Sequence, residues 1–343
     1  MPAALPEPRP LQEAPSLGWG VLAPGGIAGR FVDAVLRHSG QRVVAVGSRS
    51  ADRAAEFARA HGVERSYGGY GALVDDPDVD VVYIASPHSA HAEQALLAIA
   101  AGKHVLIEKP FTADAASARA VQAAAKAAGV LAMEAMWTRY LPQYDVLRQL
   151  LADGAVGEIG LVESDFGFSF PFDPTHRLYD PAQAGGALLD AGVYPLSFVS
   201  SVLGAPTGVV AHGSLAPTGV DERATMLLDY ADPAVRGVAS TALTSILPVR
   251  GSISGTAGIV ELIPPFLFPT GIRFTPAGPM SADAPLEWVD RTFDERYDAL
   301  SYEATALAGY VGEGRHESPV HPLDEVVGVI EVIDEARRQL GAR

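Results

Sequence analysis

The stretch that decides the fold is residues 18–28, which read GWGVLAPGGIA. Its first five residues are small or apolar and predict a strand, which the Pro24-Gly25-Gly26 turn ends. Beyond the turn, Ile27, Phe31 and Val35 recur every four residues and mark one face of a helix. A strand, a glycine turn and a helix in this order are typical of the first unit of a Rossmann fold.

The same alternation continues to about residue 138. Further strands are predicted at 42–47, 80–86, 104–107 and 130–133, with helices between them. Ser50 is placed to cap one helix, and Gly102 and Gly129 are placed to end two others. Repeated strand–helix units with apolar strands imply a parallel sheet covered on both faces. We therefore predict an α/β fold with a doubly wound, cofactor-binding Rossmann domain over residues 17–138.

The alternation of predicted strands and helices changes after about residue 140. Longer strands are predicted at 158–170, 208–214, 225–230, 238–244 and 250–263, and helices at 143–153, 188–203 and 323–340. This pattern predicts a C-terminal α+β domain over residues 139–343 with a large, mostly antiparallel open sheet, serving substrate binding and oligomerisation. The proline-rich residues 1–16 are expected to form a mobile tail.

Composition excludes several classes of function. The 343 residues carry 41 acidic and 25 basic side chains, a net charge of −16, which opposes binding to nucleic acid or to anionic membranes. The chain has no cysteine, so disulfides, thiolate nucleophiles and cysteine-ligated metals are excluded. We expect a cytoplasmic protein and no apolar run long enough to cross a bilayer.

The glycine turn is a candidate site for the pyrophosphate of a dinucleotide. Small residues let a phosphate approach the backbone, and the helix N-terminus supplies amides and partial positive charge. The turn departs from G-x-G-x-x-G at both ends, so a merely structural turn is the alternative. The candidate contacts are Ala23, Gly25, Gly26, Ile27 and Ala28.

The end of the second strand bears on which dinucleotide binds. Sites for NAD usually place a carboxylate there, whereas this chain has Ser48-Arg49-Ser50. A carboxylate would repel a 2′-phosphate, and a guanidinium and hydroxyls would bind it. The sequence therefore favours NADP over NAD, through Ser48 and Arg49, with an ordinary solvated arginine as the alternative.

Two further segments carry side chains suited to oxidoreduction. Glu108-Lys109-Pro110 follows a buried strand at the edge where doubly wound sheets bind ligands, and its lysine could stabilise the developing negative charge on a substrate oxygen. Residues 185–195 read GGALLDAGVYP and put Asp190 and Tyr194 four apart, on one face of a helix start. A phenol beside an ammonium can exchange protons. A solvated lysine and a core tyrosine are the alternatives.

Together these motifs resemble the Gfo/Idh/MocA family of oxidoreductases, and within it the branch of dimeric dihydrodiol dehydrogenases and NADP-dependent D-xylose dehydrogenases. The narrower likeness lies in residues 134–140, EAMWTRY, and 187–195, ALLDAGVYP. The resemblance covers nearly everything from Leu17 to Leu340. It implies a dehydrogenase in which NADP exchanges a hydride with an alcohol.

The resemblance also implies roles for individual residues. Lys109 would contact the reacting oxygen, Asp190 would lie in the substrate pocket, and Tyr194 would be the acid/base where many members have histidine. Arg49 would contact the 2′-phosphate. The remaining cofactor contacts, in the loop after the third predicted strand, at the sheet edge and beside the nicotinamide and pyrophosphate, are Ser86, Pro87, His88, His91, Glu108, Trp137 and Arg139. The wider family often has asparagine in place of His88, and its Lys–Pro bond is typically cis, which makes Lys109–Pro110 a candidate cis peptide.

The substrate prediction rests on Phe166, Phe168, Phe170 and Phe172, which would share one face of an extended strand. That face could simply meet helices or a partner subunit. Alternatively, the later rings form an apolar wall beside Lys109 and Tyr194. The candidate substrate contacts are then Phe170, Phe172, His176 and Arg177.

With only Arg177 available for a carboxylate, we predict a neutral cyclic polyol, aldose or trans-dihydrodiol as substrate. A non-catalytic NADP-binding regulator on the same fold is the alternative function. No metal site is predicted, because the histidines lack ligand spacing. A homodimer or homotetramer is expected through the C-terminal sheet.

Overall fold

The computed structural model describes residues 4–11, 13–278 and 284–343. The chain divides into two compact units. The N-terminal unit comprises Leu11–Trp137 and Glu295–Val327, and the C-terminal unit comprises Met1–Pro10, Thr138–Asp294 and Gly328–Arg343.

The N-terminal unit is built on a parallel sheet of six strands in the order β3-β2-β1-β4-β5-β6. The strands are β1 Gly18–Leu22, β2 Arg42–Gly47, β3 Arg65–Tyr67, β4 Val81–Ile84, β5 His104–Glu108 and β6 Ala132–Ala135. Apart from the edge strand β3, their side chains are almost all buried. Burial on both faces explains the nearly continuous apolar runs in the sequence.

Helices connect these strands. They are α1 Gly26–His38, α2 Ala51–His61, α3 Tyr70–Val74, α4 His91–Ala100 and α5 Ala115–Ala128, and α8 Leu300–Gly312 joins the same unit from later in the chain. Ser50 caps α2 by accepting from the Arg53 amide, and Asp114 caps α5 by accepting from the Ser117 amide. Gly129, at φ 68°, ends α5 in the left-handed conformation that glycine adopts freely.

The C-terminal unit is built on an eight-stranded sheet in the order β14-β13-β12-β11-β7-β10-β9-β8. The strands are β7 Ile159–Gly167, β8 Gly208–Leu215, β9 Asp221–Asp229, β10 Arg236–Ala242, β11 Gly251–Gly255, β12 Gly258–Leu262, β13 Gly271–Pro276 and β14 Leu286–Val289. All neighbours are antiparallel except β7 and β10, which run parallel. The remaining helices are α6 Pro142–Ala152, α7 Val193–Leu203 and α9 Leu323–Leu340.

The alternation along β9 shows how this sheet divides its two faces. Ala224, Met226 and Leu228 are buried, whereas Thr225 and Leu227 between them are exposed. The α7 side chain Val199 approaches Gly237 of β10 closely enough that a Cβ there would lie 2.7 Å from it. Helix α7 therefore covers one face of the sheet, and the other face is exposed in the C-terminal unit.

The predicted fold class is confirmed, with one parallel sheet and one mostly antiparallel sheet. Two of the predicted elements take a different form in the structure. The predicted strand at 250–263 is wrong, because the chain reverses there and forms the hairpin β11–β12. Gly255 permits the reversal, since a Cβ at that position would lie 2.3 Å from the Val156 carbonyl oxygen. The predicted helix at 188–203 begins with a π-helix, Leu188–Gly192, before α7.

The N-terminal segment, predicted to be a mobile tail, makes specific contacts within the C-terminal unit. The Arg9 guanidinium lies 2.7 Å from Asp145 on α6, and the Trp288 indole donates to Glu7 at 3.0 Å. Burial by itself opposes the charge of Asp145, but the hydrogen bonds from Arg9 hold its pKa below the usual value.

The prediction that no run could span a membrane is wrong on length and composition alone. Pro181–Leu203 has a mean hydropathy of 1.4 over an 18-residue window, enough to cross a bilayer. In the structure 72% of that window is buried, as expected of a helix in the core of its unit.

Candidate functional site

The turn between β1 and α1 leaves the start of the helix open to a ligand. Gly25 precedes α1 without a side-chain cap, and the first turn of α1 carries no acidic residue. A Cβ at Gly26 would meet nothing within 4 Å. Uncapped amides at the positive end of a helix dipole fit the pyrophosphate of a dinucleotide. Ile27 is half-buried and Ala28 is buried in the core, where it packs the helix on the sheet.

Ala23 occupies the first glycine position of the motif with a glycine-like backbone. Its φ is 63°, in the left-handed region that costs an L-residue about 1–2 kcal/mol. Its amide donates to the Gly47 carbonyl at 3.0 Å, which ties the turn to the end of β2. The departure from glycine noted in the sequence therefore leaves the shape of the turn intact.

The end of β2 presents two arginines. Arg49 is exposed directly after the strand, and the buried Ser48 hydroxyl accepts from the Ser50 amide at 3.2 Å. Arg53, in the first turn of α2, donates to the Pro24 carbonyl of the glycine turn at 3.4 Å. Sequence reasoning missed Arg53, although its place one helical turn after Arg49 was a usable signal.

The loop after β4 is organised around a buried histidine. His91 is fully buried, with Nδ1 2.8 Å from the Pro110 carbonyl and Nε2 2.9 Å from the Ser86 carbonyl. Burial lowers the pKa of His91, so the ring is neutral and donates to one carbonyl at a time. The rings of His88 and His91 lie 5.9 Å apart, and Pro87 is exposed. His91 thus links this loop to the segment after β5.

The segment after β5 carries Lys109, half-buried, and its bond to Pro110 is cis, as the family resemblance implied. Glu108 is buried and accepts from the Tyr83 hydroxyl at 2.5 Å and from the Lys109 amide at 3.1 Å. Burial raises the pKa of Glu108, and the Tyr83 hydrogen bond and the Lys109 charge oppose that shift. Glu108 therefore fixes the backbone of Lys109 through the Lys109 amide.

A second buried carboxylate holds the same segment from β6. Glu134 is 2% exposed, and its Oε1 accepts from the Phe111 amide at 2.7 Å. Its Oε2 lies 2.8 Å from Nε2 of His321, which is also buried. Sequence reasoning missed Glu134, because its partner His321 lies 187 residues away.

Two of the predicted cofactor contacts follow β6. Trp137, in the N-terminal unit, is buried and stacks on Tyr297 with ring centroids 6.0 Å apart. Arg139, in the C-terminal unit, is buried and donates to the Ser197 carbonyl of α7 at 3.0 Å. Their contacts with a cofactor stay predictions.

In the C-terminal unit the Gly185-Gly186 pair allows close packing before the π-helix. A Cβ at Gly185 would lie 2.7 Å from the Arg177 carbonyl oxygen, and one at Gly186 would lie 2.4 Å from Oδ1 of Asp221. Asp221, which sequence reasoning missed, is buried and accepts from the Leu188 amide at 2.6 Å. Burial raises the pKa of Asp221 to about 6. This carboxyl anchors the start of the helix that carries Asp190 and Tyr194.

Asp190 and Tyr194 are both nearly buried and have partners within the unit. Oδ1 of Asp190 is bound by the Arg177 guanidinium at 2.8 Å. The Tyr194 ring meets Phe166 edge to face, with centroids 5.6 Å apart. Asp190 sits in the π-helix and Tyr194 in the first turn of α7. Such π-turns recur at functional sites.

The later phenylalanines make other contacts. Phe170 packs on His176 with ring centroids 4.3 Å apart, and Phe172, 47% exposed, meets Tyr179 at 5.0 Å. Phe166 packs on Tyr194, although it was not among the predicted substrate contacts. Roles for Phe170, Phe172, His176 and Arg177 toward substrate stay predictions.

The parallel topology brings most of the predicted cofactor residues to one edge of the first sheet. Ala23, Ser48, Ser86 and Lys109 follow the carboxyl ends of β1, β2, β4 and β5, and these ends share one edge because the strands are parallel. The residues predicted to meet substrate, apart from Lys109, belong to the C-terminal unit. Within residues 4–11, 13–278 and 284–343, no group of three or more histidines or carboxylates could hold a metal ion.

Comparisons with known proteins agree with this geometry. Residues 17–136 match the model of the Gfo/Idh/MocA oxidoreductase family with an NAD-binding Rossmann fold, and residues 144–261 match a C-terminal domain of that family. The trans-1,2-dihydrobenzene-1,2-diol dehydrogenase of Oryctolagus cuniculus is 40% identical over 94% of this chain and 98% of its own.

Two solved structures are similar over nearly the whole chain. A 3-ketoreductase from Actinomadura kijaniata, in complex with NADP and TDP-benzene, has a TM-score of 0.80 at 27% identity and covers 95% of this chain and 98% of its own. An aldose-aldose oxidoreductase from Caulobacter crescentus has a TM-score of 0.82 at 25% identity with the same coverage.

Proposed function

Because the chain belongs to the Gfo/Idh/MocA family of oxidoreductases, we propose that it uses NADP to exchange a hydride with a neutral cyclic polyol, aldose or trans-dihydrodiol. That it is an NAD(P)-dependent oxidoreductase follows from the family and from relatives that are themselves named dehydrogenases and reductases. The observation that carries the proposal is the position of Lys109 at the sheet edge that also carries the open glycine turn, with the Lys109 and Phe111 amides bound by the buried carboxyls of Glu108 and Glu134.

The choice of NADP rests on the residues around the end of β2. Arg49 is exposed there, Arg53 reaches the glycine turn, and no carboxylate stands in the Ser48-Arg49-Ser50 segment to repel a 2′-phosphate. A related structure binds NADP. Ser48, Arg49 and Arg53 would hold the phosphate, and the uncapped amides of α1 would hold the pyrophosphate.

In the oxidation direction, Tyr194, Lys109 and Asp190 have separate proposed roles. When bound, NADP⁺ would supply the acceptor for the hydride that leaves the substrate C–H bond. Tyr194 takes the proton of the substrate hydroxyl, so that a carbonyl forms. Lys109 donates a hydrogen bond to the reacting oxygen and stabilises the negative charge that develops on it. Asp190 accepts from a second substrate hydroxyl.

The preference for a neutral substrate rests on charge and on apolar surface. Arg177, the arginine that a substrate carboxylate would need, is bound to Asp190, and an added anion would lie near the Asp190 carboxylate. Phe166 beside Tyr194 offers a flat apolar face that suits a sugar ring or a cyclohexadiene diol.

The proposed activity is tested by following NADP⁺ reduction by absorbance across aldoses, inositols, cyclic diols and hydroxy acids. We expect the highest kcat/KM with a neutral sugar or diol. A hydroxy acid that exceeds every neutral compound would contradict the proposed substrate class. Alanine in place of Phe166, with Phe172→Ala as the matched exposed-ring control, tests which ring meets substrate.

We also propose a cytoplasmic homodimer, or a homotetramer of such dimers, formed through the outer face of the C-terminal sheet. Val210, Leu227 and Ile259 lie on that face and are 41–45% exposed. Apolar side chains exposed at alternate positions of a large sheet are typical of a surface that a partner covers. The absence of cysteine suits a reducing compartment.

A further inference from the structure

His321, in the segment before α9, is a buried side chain that the proposed chemistry does not use. It is 1% exposed, and its Nε2 lies 2.8 Å from Oε2 of Glu134, which is 2% exposed. The other oxygen of Glu134, Oε1, accepts from the Phe111 amide at 2.7 Å. A carboxylate so far from water is stable only where hydrogen-bond donors compensate its charge. The contact with His321 therefore bears on how firmly Glu134 is held.

The backbone of residues 316–321 is fixed independently of the His321 ring. The Ala132 amide on β6 donates to the His316 carbonyl at 3.2 Å. The buried Ser318 hydroxyl accepts from the His321 amide at 3.2 Å. Because β6 is the last strand of its sheet, this segment covers an edge whose backbone groups would otherwise lack partners. The fold thus places the ring of His321 beside the carboxylate.

The surroundings of the two ring nitrogens show where the proton lies. Nδ1 of His321 is buried and has no hydrogen-bond partner among the residues that the structure describes. Oε1 of Glu325 lies 3.8 Å from Nδ1, beyond hydrogen-bond distance. Nε2 faces a carboxylate oxygen of Glu134 at 2.8 Å. A bare nitrogen would repel that oxygen, so Nε2 carries a proton and donates it to Glu134.

Glu134 connects this hydrogen bond to the segment after β5. The Pro110–Phe111 peptide is held at both ends, because its carbonyl lies 2.8 Å from Nδ1 of His91 and its N–H donates to Glu134. Peptide bonds are planar and the proline ring fixes φ, so only the ψ angles of Lys109 and Pro110 separate the Lys109 Cα from the Phe111 amide. A shift of Glu134 would therefore be transmitted to Lys109.

We propose that His321 is a positioning residue for Lys109. Its Nε2–H holds the carboxylate of Glu134, that carboxylate holds the Phe111 amide, and the Phe111 amide fixes the segment that carries the lysine. Without the ring donor, the buried carboxylate would turn toward other donors or water and release the Phe111 amide. This role of His321 rests on the proposed role of Lys109.

Two substitutions that differ in reach test the donor. The side-chain nitrogen of glutamine corresponds in position to Nε2 of histidine, whereas that of asparagine corresponds to Nδ1. His321→Gln therefore keeps a donor toward Glu134, and His321→Asn removes it. We expect kcat to fall about tenfold in His321→Asn and to stay within about twofold of wild type in His321→Gln, with the Kd of NADPH changed less than about threefold in both. Wild-type kcat in a folded His321→Asn variant would overturn the proposal.

Gln41→Leu is the matched control for a general loss of stability. Gln41 is buried just before β2, at the opposite edge of the same sheet, and accepts from the Trp19 indole at 3.1 Å. Its substitution removes a buried hydrogen bond without touching the segment that carries Lys109, so kcat should not change. A loss of kcat as large as that of His321→Asn would show that destabilisation alone explains both, and would overturn the positioning role.

Hydrogen exchange of the Phe111 amide tests the same role without substrate or cofactor. In His321→Asn this amide should exchange at least about tenfold faster than in Gln41→Leu, because its acceptor is no longer held. In His321→Gln its rate should stay within about threefold of wild type. Unchanged exchange of Phe111 in His321→Asn would contradict the proposal.

If His321→Asn does not fold, the wild-type protein decides. A ¹H–¹⁵N spectrum of the histidine rings, with the His321 signals assigned by their loss in His321→Gln, should show a proton on Nε2 of His321. A bare Nε2 would overturn the proposal. Failure of the proposed function is distinguishable, because an active Lys109→Met variant would refute the role of the lysine and leave the exchange of Phe111 and the His321 spectrum as expected.

Discussion

The guanidinium of Arg177 lies 2.8 Å from Oδ1 of Asp190. The Arg177 side chain is 46% exposed, whereas the Asp190 side chain is 9% exposed. The pair fixes the orientation of the carboxylate that we expect to meet a substrate hydroxyl. It also occupies the cation that a substrate carboxylate would need. Charge-assisted pairs of this kind act as a unit, so their contributions to catalysis should not be additive.

We therefore expect Arg177→Gln to lower kcat/KM for the best neutral substrate by about tenfold, which corresponds to ~1.4 kcal/mol of transition-state stabilisation. The measurement is a double-mutant cycle with Asp190→Asn. The double variant should lose less than the sum of the single losses. Arg236→Gln, which breaks an exposed pair with Asp229, is the control and should change nothing. Strict additivity would show that the pair is not part of the site.

Arg49 should decide between the two dinucleotides. Arg49→Asp replaces attraction of a 2′-phosphate by repulsion, so we expect the Kd of NADPH to rise by about 100-fold or more and that of NADH to stay the same or fall. Titration by tryptophan fluorescence measures both constants. Arg59→Asp is the matched control, because Arg59 is an exposed arginine near the end of helix α2, which follows Arg49. Equal losses for both cofactors would contradict the assignment.

Lys109 and Tyr194 are proposed to act in the chemical step, so their substitution should lower turnover. Lys109→Met should abolish detectable turnover with the Kd of NADPH largely retained, because the ammonium acts on the transition state. Tyr194→Phe keeps the ring contact with Phe166 and should lower kcat by about 10² to 10⁴. A fully active Tyr194→Phe enzyme would mean that another group handles the proton.

Much of this architecture could be read from local patterns in the sequence. Apolar runs between glycine turns predicted β1, β2, β4 and β5, and the parallel topology that follows placed Lys109 at a ligand-binding edge. Helix α8 escaped prediction because it is apolar on most of its surface, with Ala304, Leu307 and Ala308 all buried. A helix without a polar face gives no clear periodic signal.

The residues that support the site were invisible for a different reason. Asp221 holds the Leu188 amide across 33 residues, and Glu134 meets His321 across 187 residues. Hydrogen bonds between residues so far apart in sequence do not affect local periodicity. From sequence alone, an isolated buried carboxylate cannot be distinguished from an ordinary surface residue. Motif reasoning therefore found the side chains proposed to touch ligands and missed Glu134 and Asp221, two of the carboxyls that hold the segments carrying them.

Asp221 should make stability depend on pH. Its pKa is raised by burial to about 6, above that of an unfolded aspartate, so the folded state binds the extra proton and loses stability as pH rises from about 4 to 6. The loss amounts to about 3 kcal/mol. Asp221→Asn removes this term, and its free energy of unfolding relative to wild type should rise by about that amount between pH 4 and 7.

Urea unfolding at several pH values measures this difference. Asp229→Asn, an exposed carboxylate on the same strand, is the matched control and should show no such change. Parallel curves for Asp221→Asn and wild type would mean that Asp221 titrates normally in the folded protein.

The last prediction concerns the outer face of the C-terminal sheet. Leu227 on β9 pairs with Val210 on β8 and with Val238 on β10, so three apolar side chains form a row across neighbouring strands. Leu227 is 42% exposed in the single chain. In a two-fold symmetric dimer formed through this face, each protomer would bury its own copy of the row.

Leu227→Glu should therefore leave the protomer folded and separate the dimer. A surface substitution changes the stability of a protomer by about 0.5 kcal/mol or less, whereas an unpaired charge buried in an interface costs about 3 kcal/mol or more. We expect the dimer dissociation constant, measured by sedimentation velocity, to rise at least about 100-fold. Leu36→Glu is the matched control, because Leu36 is 43% exposed on α1 of the N-terminal unit. A Leu227→Glu variant that stays dimeric, or a wild type that is monomeric at micromolar concentration, would contradict assembly through this face.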